Sequence, residues 1–184
     1  LAGEIQRIET TAGLVTGEHI DGEFYKIRLN NPSVISLDLP IKVQGREVTC
    51  HYTELGNPGI PHAVVVVDSL EDKNFLREFA REIRHHKAFP KGANVNLVMI
   101  KSKNEADILT FERGVEDFTL ACGTGSGATA ALLSLKNMLS GEKILLNNPG
   151  GILTVDLVMR DNSVSDIYLS GPTCLVAVGE TNLV

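Results

Sequence analysis

The sequence predicts a mixed, strand-rich α/β fold. Short alternating or apolar segments, separated by turn residues, recur along the 184 residues and predict many strands, whereas helical periodicity is confined to two segments. The pairs Asp21-Gly22 and Gln44-Gly45 are tight-turn signals, so hairpins should outnumber βαβ units. Of all residues, 43% are hydrophobic and 22% are charged, a balance typical of a globular domain with a sizeable core.

The first third of the chain predicts a series of hairpins. Strands are expected over 4–11, 14–16 and 24–29, and a further hairpin over 41–52. Asn31-Pro32 and Leu39-Pro40 mark a boundary between these two groups. A turn-rich loop over 56–61 then leads into a buried strand over 62–68, where His62 is interpreted as a structural histidine.

Two helices are predicted in the remainder. Ser69 is the expected N-cap of the first, whose apolar residues recur at helical spacing as far as Ile83 and which ends in the basic segment 84–87. The second, over 124–139, is almost without charge around its whole circumference, which predicts a helix enclosed by a sheet or barrel. Further strands are expected over 95–101, 108–113, 143–146, 152–159, 166–169 and 175–178.

Composition excludes several classes of function. The net charge is −6 and the 17 basic residues are scattered singly, which argues against nucleic acid or a membrane surface as partner. No apolar run is long enough to span a membrane, and no signal peptide is recognisable. Cys50, Cys122 and Cys174 lack CxxC spacing, so we expect neither a disulfide framework nor a metal site, and a reduced, cytoplasmic setting fits best.

An internal similarity suggests a duplication. Residues 11–16 and 27–29 are similar to residues 149–154 and 167–169, in the same order. In this alignment Gly13 corresponds to Gly151 and Ile27 corresponds to Ile167. Strand–turn–strand patterns are common, so chance is an equal alternative. If the duplication is real, the counterpart of residue 122 precedes Leu1, and a chain that starts with Leu rather than Met fits that interpretation.

Cys122 occupies the most unusual segment of the sequence. It directly precedes the second predicted helix, and Gly123, Gly125 and Gly127 alternate in the first turns. Helix N-termini lower the pKa of thiols and bind carboxylates, and glycines let a ligand approach the backbone. The alternatives are a buried, inert cysteine above a tight turn and a nucleotide loop, whose third glycine and Lys-Ser/Thr pair are missing. We favour a reactive thiol.

The run ERGVEDFTLACGTGSGATAA over 112–131, with FPKGANVNLV upstream and NNPGGILTVDL downstream, resembles the diaminopimelate epimerase family. The chain resembles the C-terminal two-thirds of such an enzyme. The resemblance implies two similar halves, each a β-barrel-like sheet around a central helix, with the N-terminal half incomplete here. Residues 1–38 and 172–184 would then belong to the N-terminal half and 39–171 would form the C-terminal epimerase domain. A homodimer is also implied.

The same resemblance implies a chemistry. Such enzymes are isomerases of lysine and peptidoglycan synthesis that convert LL-diaminopimelate to the meso form without pyridoxal phosphate or another cofactor. One cysteine removes the α-proton and a second returns one. Cys122 would be one of these thiols; the other, in a CGNG-type motif, has no match in this chain. The isolated fragment is therefore expected to be inactive.

The substrate-binding residues implied by the resemblance flank Cys122. Gly123 and Thr124 would hold the reacting carboxylate, Asn94 and Arg113 the distal carboxylate, and Glu112 the amino group. One departure concerns a GNPH motif, where Ile60 stands in place of a substrate-binding asparagine and Asn57 is a candidate substitute. Two alternatives therefore remain: a racemase of another amino acid such as histidine, and an inactive carboxylate-binding module.

Overall fold

A computed structural model describes residues 5–10, 13–161 and 163–180, which form eleven strands and two helices. In chain order the elements are β1 Ile5–Thr10, β2 Gly13–Asp21, β3 Phe24–Leu29, β4 Pro32–Val43, β5 Arg46–Gly56, β6 Gly59–Val66, α1 Lys73–Arg84, β7 Asn94–Ser102, β8 Glu105–Phe111, α2 Gly123–Leu135, β9 Lys143–Asn148, β10 Gly151–Arg160 and β11 Ser163–Pro172. The predicted strand-rich α/β class is confirmed.

All eleven strands belong to one sheet, in the order β1-β2-β3-β11-β10-β9-β8-β7-β6-β5-β4. Its neighbours are antiparallel except for β6–β7 and β8–β9, which are parallel and are joined across α1 and α2. Asn31-Pro32 separates the two groups as expected, since β3 ends at Leu29 and β4 begins at Pro32, whereas Pro40, also expected to mark a boundary, lies within β4. Because β4 is an edge strand, one side of its backbone needs no ladder partner and tolerates proline.

Helix α2 lies at the centre of the larger core. Every residue from Gly125 to Leu133 is buried, which confirms that this helix is enclosed. It packs against β4–β7 on one side and against β10 and β11 on the other, so the sheet curls around it. The helix ends at Leu135, and Lys136 is its C-cap, earlier than the sequence pattern suggested.

Helix α1 covers the opposite face of the sheet. Its buried residues Leu76, Ala80 and Ile83 join a second core built on β5–β8. The predicted Ser69 cap is wrong: the N-cap is Asp72, whose Oδ1 accepts the Phe75 N–H at 3.0 Å. An aspartate directly before the helix supplies a full negative charge at the positive end of its dipole, which explains the later start.

The structure supports the duplication that the sequence left open. In the β1–β2 hairpin Ile8 pairs with Val15, and in the β9–β10 hairpin their counterparts Leu146 and Leu153 pair in the same way. The β2–β3 and β10–β11 hairpins follow in the same order but differ in register by two residues: Gly17 pairs with Ile27, whereas its counterpart Val155 pairs with Leu169, two residues beyond Ile167. The three-stranded units β1-β2-β3 and β9-β10-β11 are therefore structural repeats.

The two repeats meet along β3 and β11. Ile27 of β3 is equivalent to Ile167 of β11, so the next residues, Arg28 and Tyr168, are also equivalent. These two residues pair with each other across the β3–β11 ladder. An antiparallel pair of equivalent residues is the register that a local two-fold axis through this point requires. In the second repeat, α2 precedes β9 in the chain, so the position equivalent to α2 in the first repeat lies before β1.

The predicted strand over 175–178 is wrong. Residues 173–180 form no helix or strand, and Leu175 and Val176 are 81% and 90% exposed. The Thr173 N–H donates to Glu23 O at 2.8 Å, but beyond this point no described strand lies alongside to form a ladder. Neither helix in the described part of the chain is long and apolar enough to cross a membrane.

Substitution of Gly125 by alanine should destabilise the fold more than substitution of Gly127. A Cβ at Gly125 would clash with Asn96 Oδ1, an atom held by the Thr110 hydroxyl at 3.0 Å. At Gly127 the nearest atom is the mobile end of Leu29, and alanine favours the helix. We expect a loss of about 1–3 kcal/mol for Gly125→Ala and less than about 1 kcal/mol for Gly127→Ala in urea unfolding. Equal losses would contradict this packing argument.

Candidate active site

Cys122 is the N-cap of the central helix. It has an extended backbone, its Sγ accepts the Gly125 N–H at 3.3 Å, and its carbonyl accepts the Ser126 N–H at 2.9 Å. The Thr124 hydroxyl lies 3.6 Å from the sulfur. Only 5% of the residue is exposed. The thiol is therefore held in place at the N-terminal end of α2, where the first backbone N–H groups have no acceptor within the helix.

Two backbone amides at this end are available for a ligand. Gly123 and Thr124 form the first turn of α2, where N–H groups have no acceptor within the helix. Both residues are half-buried, so a bound anion would be partly shielded from water. Gly123 is in close contact with the strand below it, since a Cβ there would lie 2.8 Å from Leu169 Cδ2. This geometry suits a carboxylate beside the Cys122 sulfur.

The expected lowering of the thiol pKa is wrong for this structure. Burial raises the pKa of Cys122 to about 11 and outweighs the hydrogen bonds with Thr124 and Gly125, which favour the thiolate. The nearby carboxylate of Glu112 raises the pKa further, because its negative charge disfavours a thiolate beside it. At neutral pH Cys122 is therefore a protonated thiol with a carboxylate beside it.

Glu112 is positioned by the loop that follows β8. Its N–H donates to Asp117 O at 3.1 Å and its carbonyl accepts the Glu116 N–H at 2.8 Å. Glu116 in turn accepts from the Gly114 N–H and from Arg84 of α1, both at 2.9 Å. The loop is thus tied to itself and to α1, which holds Glu112 at the start of α2.

Asn94 and Arg113 are brought together as the sequence predicted. Asn94 begins β7 and is 8% exposed, and its Oδ1 accepts the Arg113 N–H at 2.8 Å. The Arg113 guanidinium donates from Nη1 to Lys91 O at 3.0 Å and is otherwise exposed. Because only Nη1 of the guanidinium is hydrogen-bonded and the rest is exposed to solvent, the group can bind a carboxylate.

His62 was interpreted as structural, but its environment is less simple. It is fully buried, its Nδ1 accepts from Asn96 Nδ2 at 3.3 Å, and its Nε2 has no partner among the described residues. Asn96 also donates to Ala63 O at 3.2 Å and accepts from Thr110, which fixes its orientation and puts the histidine proton on Nε2. Burial, with help from the Arg113 charge, lowers the pKa of His62 to about 3, so the imidazole is neutral.

The predicted residues divide into two groups. Cys122, Gly123, Thr124 and Glu112 form one cluster at the start of α2, and Asn94 with Arg113 lies at the adjoining strand ends. Asn57 lies exposed in the turn between β5 and β6, and within the described residues no hydrogen bond joins it to either group. A role for Asn57 stays a prediction.

Comparison with known proteins shows which family the chain is similar to. The sequence model of diaminopimelate epimerase matches residues 55–176. A diaminopimelate epimerase of Aquifex aeolicus is 35% identical over 182 residues, which are 97% of this chain and 62% of the relative. One of Archaeoglobus fulgidus is 37% identical over 164 residues, 85% of this chain and 57% of the relative. The chain thus spans about three fifths of the length of these curated relatives.

A solved structure confirms the fold. A probable proline racemase from Agrobacterium radiobacter superposes on all of this chain and on 62% of its own, with a TM-score of 0.70 and 19% identity. At that identity the likeness concerns the fold alone, and the expected epimerase-like architecture is confirmed. Together with the family match over most of the chain, it supports a single conclusion: the chain belongs to the diaminopimelate epimerase family.

Proposed function

We propose that this chain is part of a cofactor-independent epimerase that converts LL-diaminopimelate to the meso form, and that it supplies Cys122 as one of the two acid/base thiols. The observation that carries the proposal is the buried thiol at the N-cap of α2, beside the two first-turn amides and the Glu112 carboxylate. An amino-acid α-carbon held by its carboxylate on Gly123 and Thr124 would lie next to the sulfur.

The protonation state of Cys122 suits a proton donor. A thiol with a pKa of about 11 holds its proton at Sγ until a carbanion forms next to it. Glu112 can accept the proton when Cys122 acts in the opposite direction. The Gly123 and Thr124 amides stabilise negative charge that develops on the substrate carboxylate, and the buried setting strengthens this effect.

The repeat predicts where the second thiol lies. A helix equivalent to α2 would precede β1, and the two-fold relation at β3 and β11 would direct its N-terminus toward Cys122. Ile8 of β1 is 58% exposed, whereas its counterpart Leu146 of β9 is fully buried in the core that includes α2, as expected if a second helix covers β1. The division at residues 38 and 172, and a homodimer, remain parts of this proposal.

A racemase of another amino acid is the second candidate, and Ile60 is the observation that favours it. This residue is 36% exposed in β6, two positions before His62. An isoleucine cannot donate a hydrogen bond to a second carboxylate, so a substrate with an apolar or aromatic side chain would fit this position as well as diaminopimelate does.

Replacement of Cys122 by serine should abolish turnover in the complete gene product. A serine hydroxyl is too weak an acid to replace the thiol, so the exchange of the substrate α-hydrogen should fall at least about 100-fold. The measurement is mass spectrometry of LL-diaminopimelate and histidine incubated in deuterium oxide. Cys174→Ser, at an exposed position, is the matched control and should retain full exchange. Normal exchange by the Cys122→Ser variant would overturn the assignment.

Replacement of Glu112 by glutamine should change thiol reactivity and turnover in opposite directions. Loss of the carboxylate removes a group that raises the thiol pKa, so the thiolate fraction of Cys122 at a given pH should rise. In a Cys174→Ser background, the midpoint of iodoacetamide alkylation against pH should therefore move downward while epimerisation slows. An unchanged midpoint would show that Glu112 does not act on the sulfur.

A further inference from the structure

A cavity of about 800 Å³ lies at the C-terminal end of α2 and has no role in the proposed reaction. Its wall is formed by β4, β5 and β6, by the first turns of α1, and by Lys136 and Met138, which follow α2. Cys122 caps the opposite end of this 13-residue helix, so the two places lie about 20 Å apart along its axis. A volume of this size is typical of binding sites for small molecules.

One buried imidazole in the cavity wall has a ring nitrogen without a partner. The side chain of His51 in β5 is 5% exposed, and its Nδ1 accepts the Asp38 N–H at 3.1 Å. Burial holds the pKa of His51 below its usual range, so the ring is neutral at neutral pH and its proton lies on Nε2. No described residue accepts that N–H group. Because an unmade hydrogen bond at a buried donor is costly, this group suits an acceptor that a ligand brings.

The charged residues around the cavity are mostly acidic. They are four carboxylates and one lysine: Asp38, Glu47, Asp68, Asp72 and Lys136. Lys136 Nζ binds Asp38 Oδ2 at 2.6 Å, which neutralises one of the carboxylates. Glu47 and Asp68 are exposed and have no ion-pair partner among the described residues. The negative end of the α2 dipole lies here too, since Lys136 is the C-cap of the helix. The cavity therefore attracts a positive ligand.

Two phenylalanines of α1 line the same cavity. The Phe75 and Phe79 rings are stacked, with centroids 5.9 Å apart and an angle of 18° between their planes. Phe75 belongs to the apolar residues that recur along α1, but 49% of it is exposed. Val65 and Leu76 are buried and form part of the cavity wall. Aromatic ring faces attract cations, and the aliphatic residues suit an apolar body.

We infer that this cavity is a second ligand site, which binds an organic cation with an ammonium group, an apolar body and a hydrogen-bond acceptor. The ammonium group would bind to Glu47 and Asp68 at the rim. The apolar body would pack on Phe75, and the acceptor would receive the hydrogen bond from His51 Nε2. The inference goes beyond the proposed function, because none of these residues belongs to the cluster around Cys122.

The experiment measures the binding of three small probes to the complete gene product by isothermal titration calorimetry. The first, para-methoxyphenethylamine, carries the cation, the ring and an ether acceptor and should bind. The matching alcohol lacks the charge and should bind at least about 10-fold more weakly, the usual loss of a hydrogen bond to a charged group. Phenethylamine lacks the acceptor and should bind about 3- to 10-fold more weakly, the contribution of a neutral hydrogen bond. Equal affinities for all three probes, or no binding of the first, would overturn the inference.

Variants at the rim and in the wall locate the bound amine. Glu47→Gln combined with Asp68→Asn should weaken the binding of para-methoxyphenethylamine at least about 10-fold and leave that of the alcohol unchanged. His51→Leu should remove the difference in affinity between the two amines, with circular dichroism as the check on folding. The rim residues are exposed, so their test does not depend on whether His51→Leu folds. Glu142→Gln combined with Glu180→Gln, two exposed carboxylates outside the cavity, is the matched control and should change no affinity.

Two further results would contradict a small-molecule site. Amine binding that survives the Glu47 and Asp68 substitutions would place the amine elsewhere on the protein. A second copy of the chain is the other candidate occupant of the cavity. If the amine does not bind and Phe75→Ser converts a dimer to a monomer in size-exclusion chromatography, the cavity is an interface between copies and the inference is overturned.

Discussion

The enclosure of α2 is the constraint on which the rest of the structure depends. A helix that is apolar on every side can be buried only if a sheet surrounds it, and the eleven-stranded sheet curls around this one. Enclosure leaves the N-terminal end as the part that can meet a ligand. The cysteine that caps this end is consequently placed with little freedom, between the Gly125 amide and the Thr124 hydroxyl.

The same enclosure decides the electrostatics of the site. A helix N-terminus favours a thiolate, but that effect is outweighed when burial removes water from the sulfur and a carboxylate lies beside it. The balance gives a thiol that keeps its proton at neutral pH next to a group that can accept one. Glu112 is held in this position because the loop after β8 is bonded to itself and to α1.

The repeat connects architecture to the site. The β1–β2 and β9–β10 hairpins share a register and are each followed by a third antiparallel strand, so a similar strand arrangement occurs twice, although in the described residues a helix precedes only the second copy. The apolar residues that β1 leaves exposed, and the meeting of equivalent residues at β3 and β11, are both what the proposed second helix on the other side of a local two-fold axis would produce. A site between two such helix ends would place one acid/base group on each face of a bound substrate.

The sequence by itself determined the strand-rich class, most hairpins, the buried second helix and the segment around Cys122, because periodicity, turn residues and a rare glycine pattern are local signals. The tertiary structure decided the rest. The cap at Asp72, the exposed segment after Pro172 and the raised thiol pKa depend on which groups lie near each other or near water.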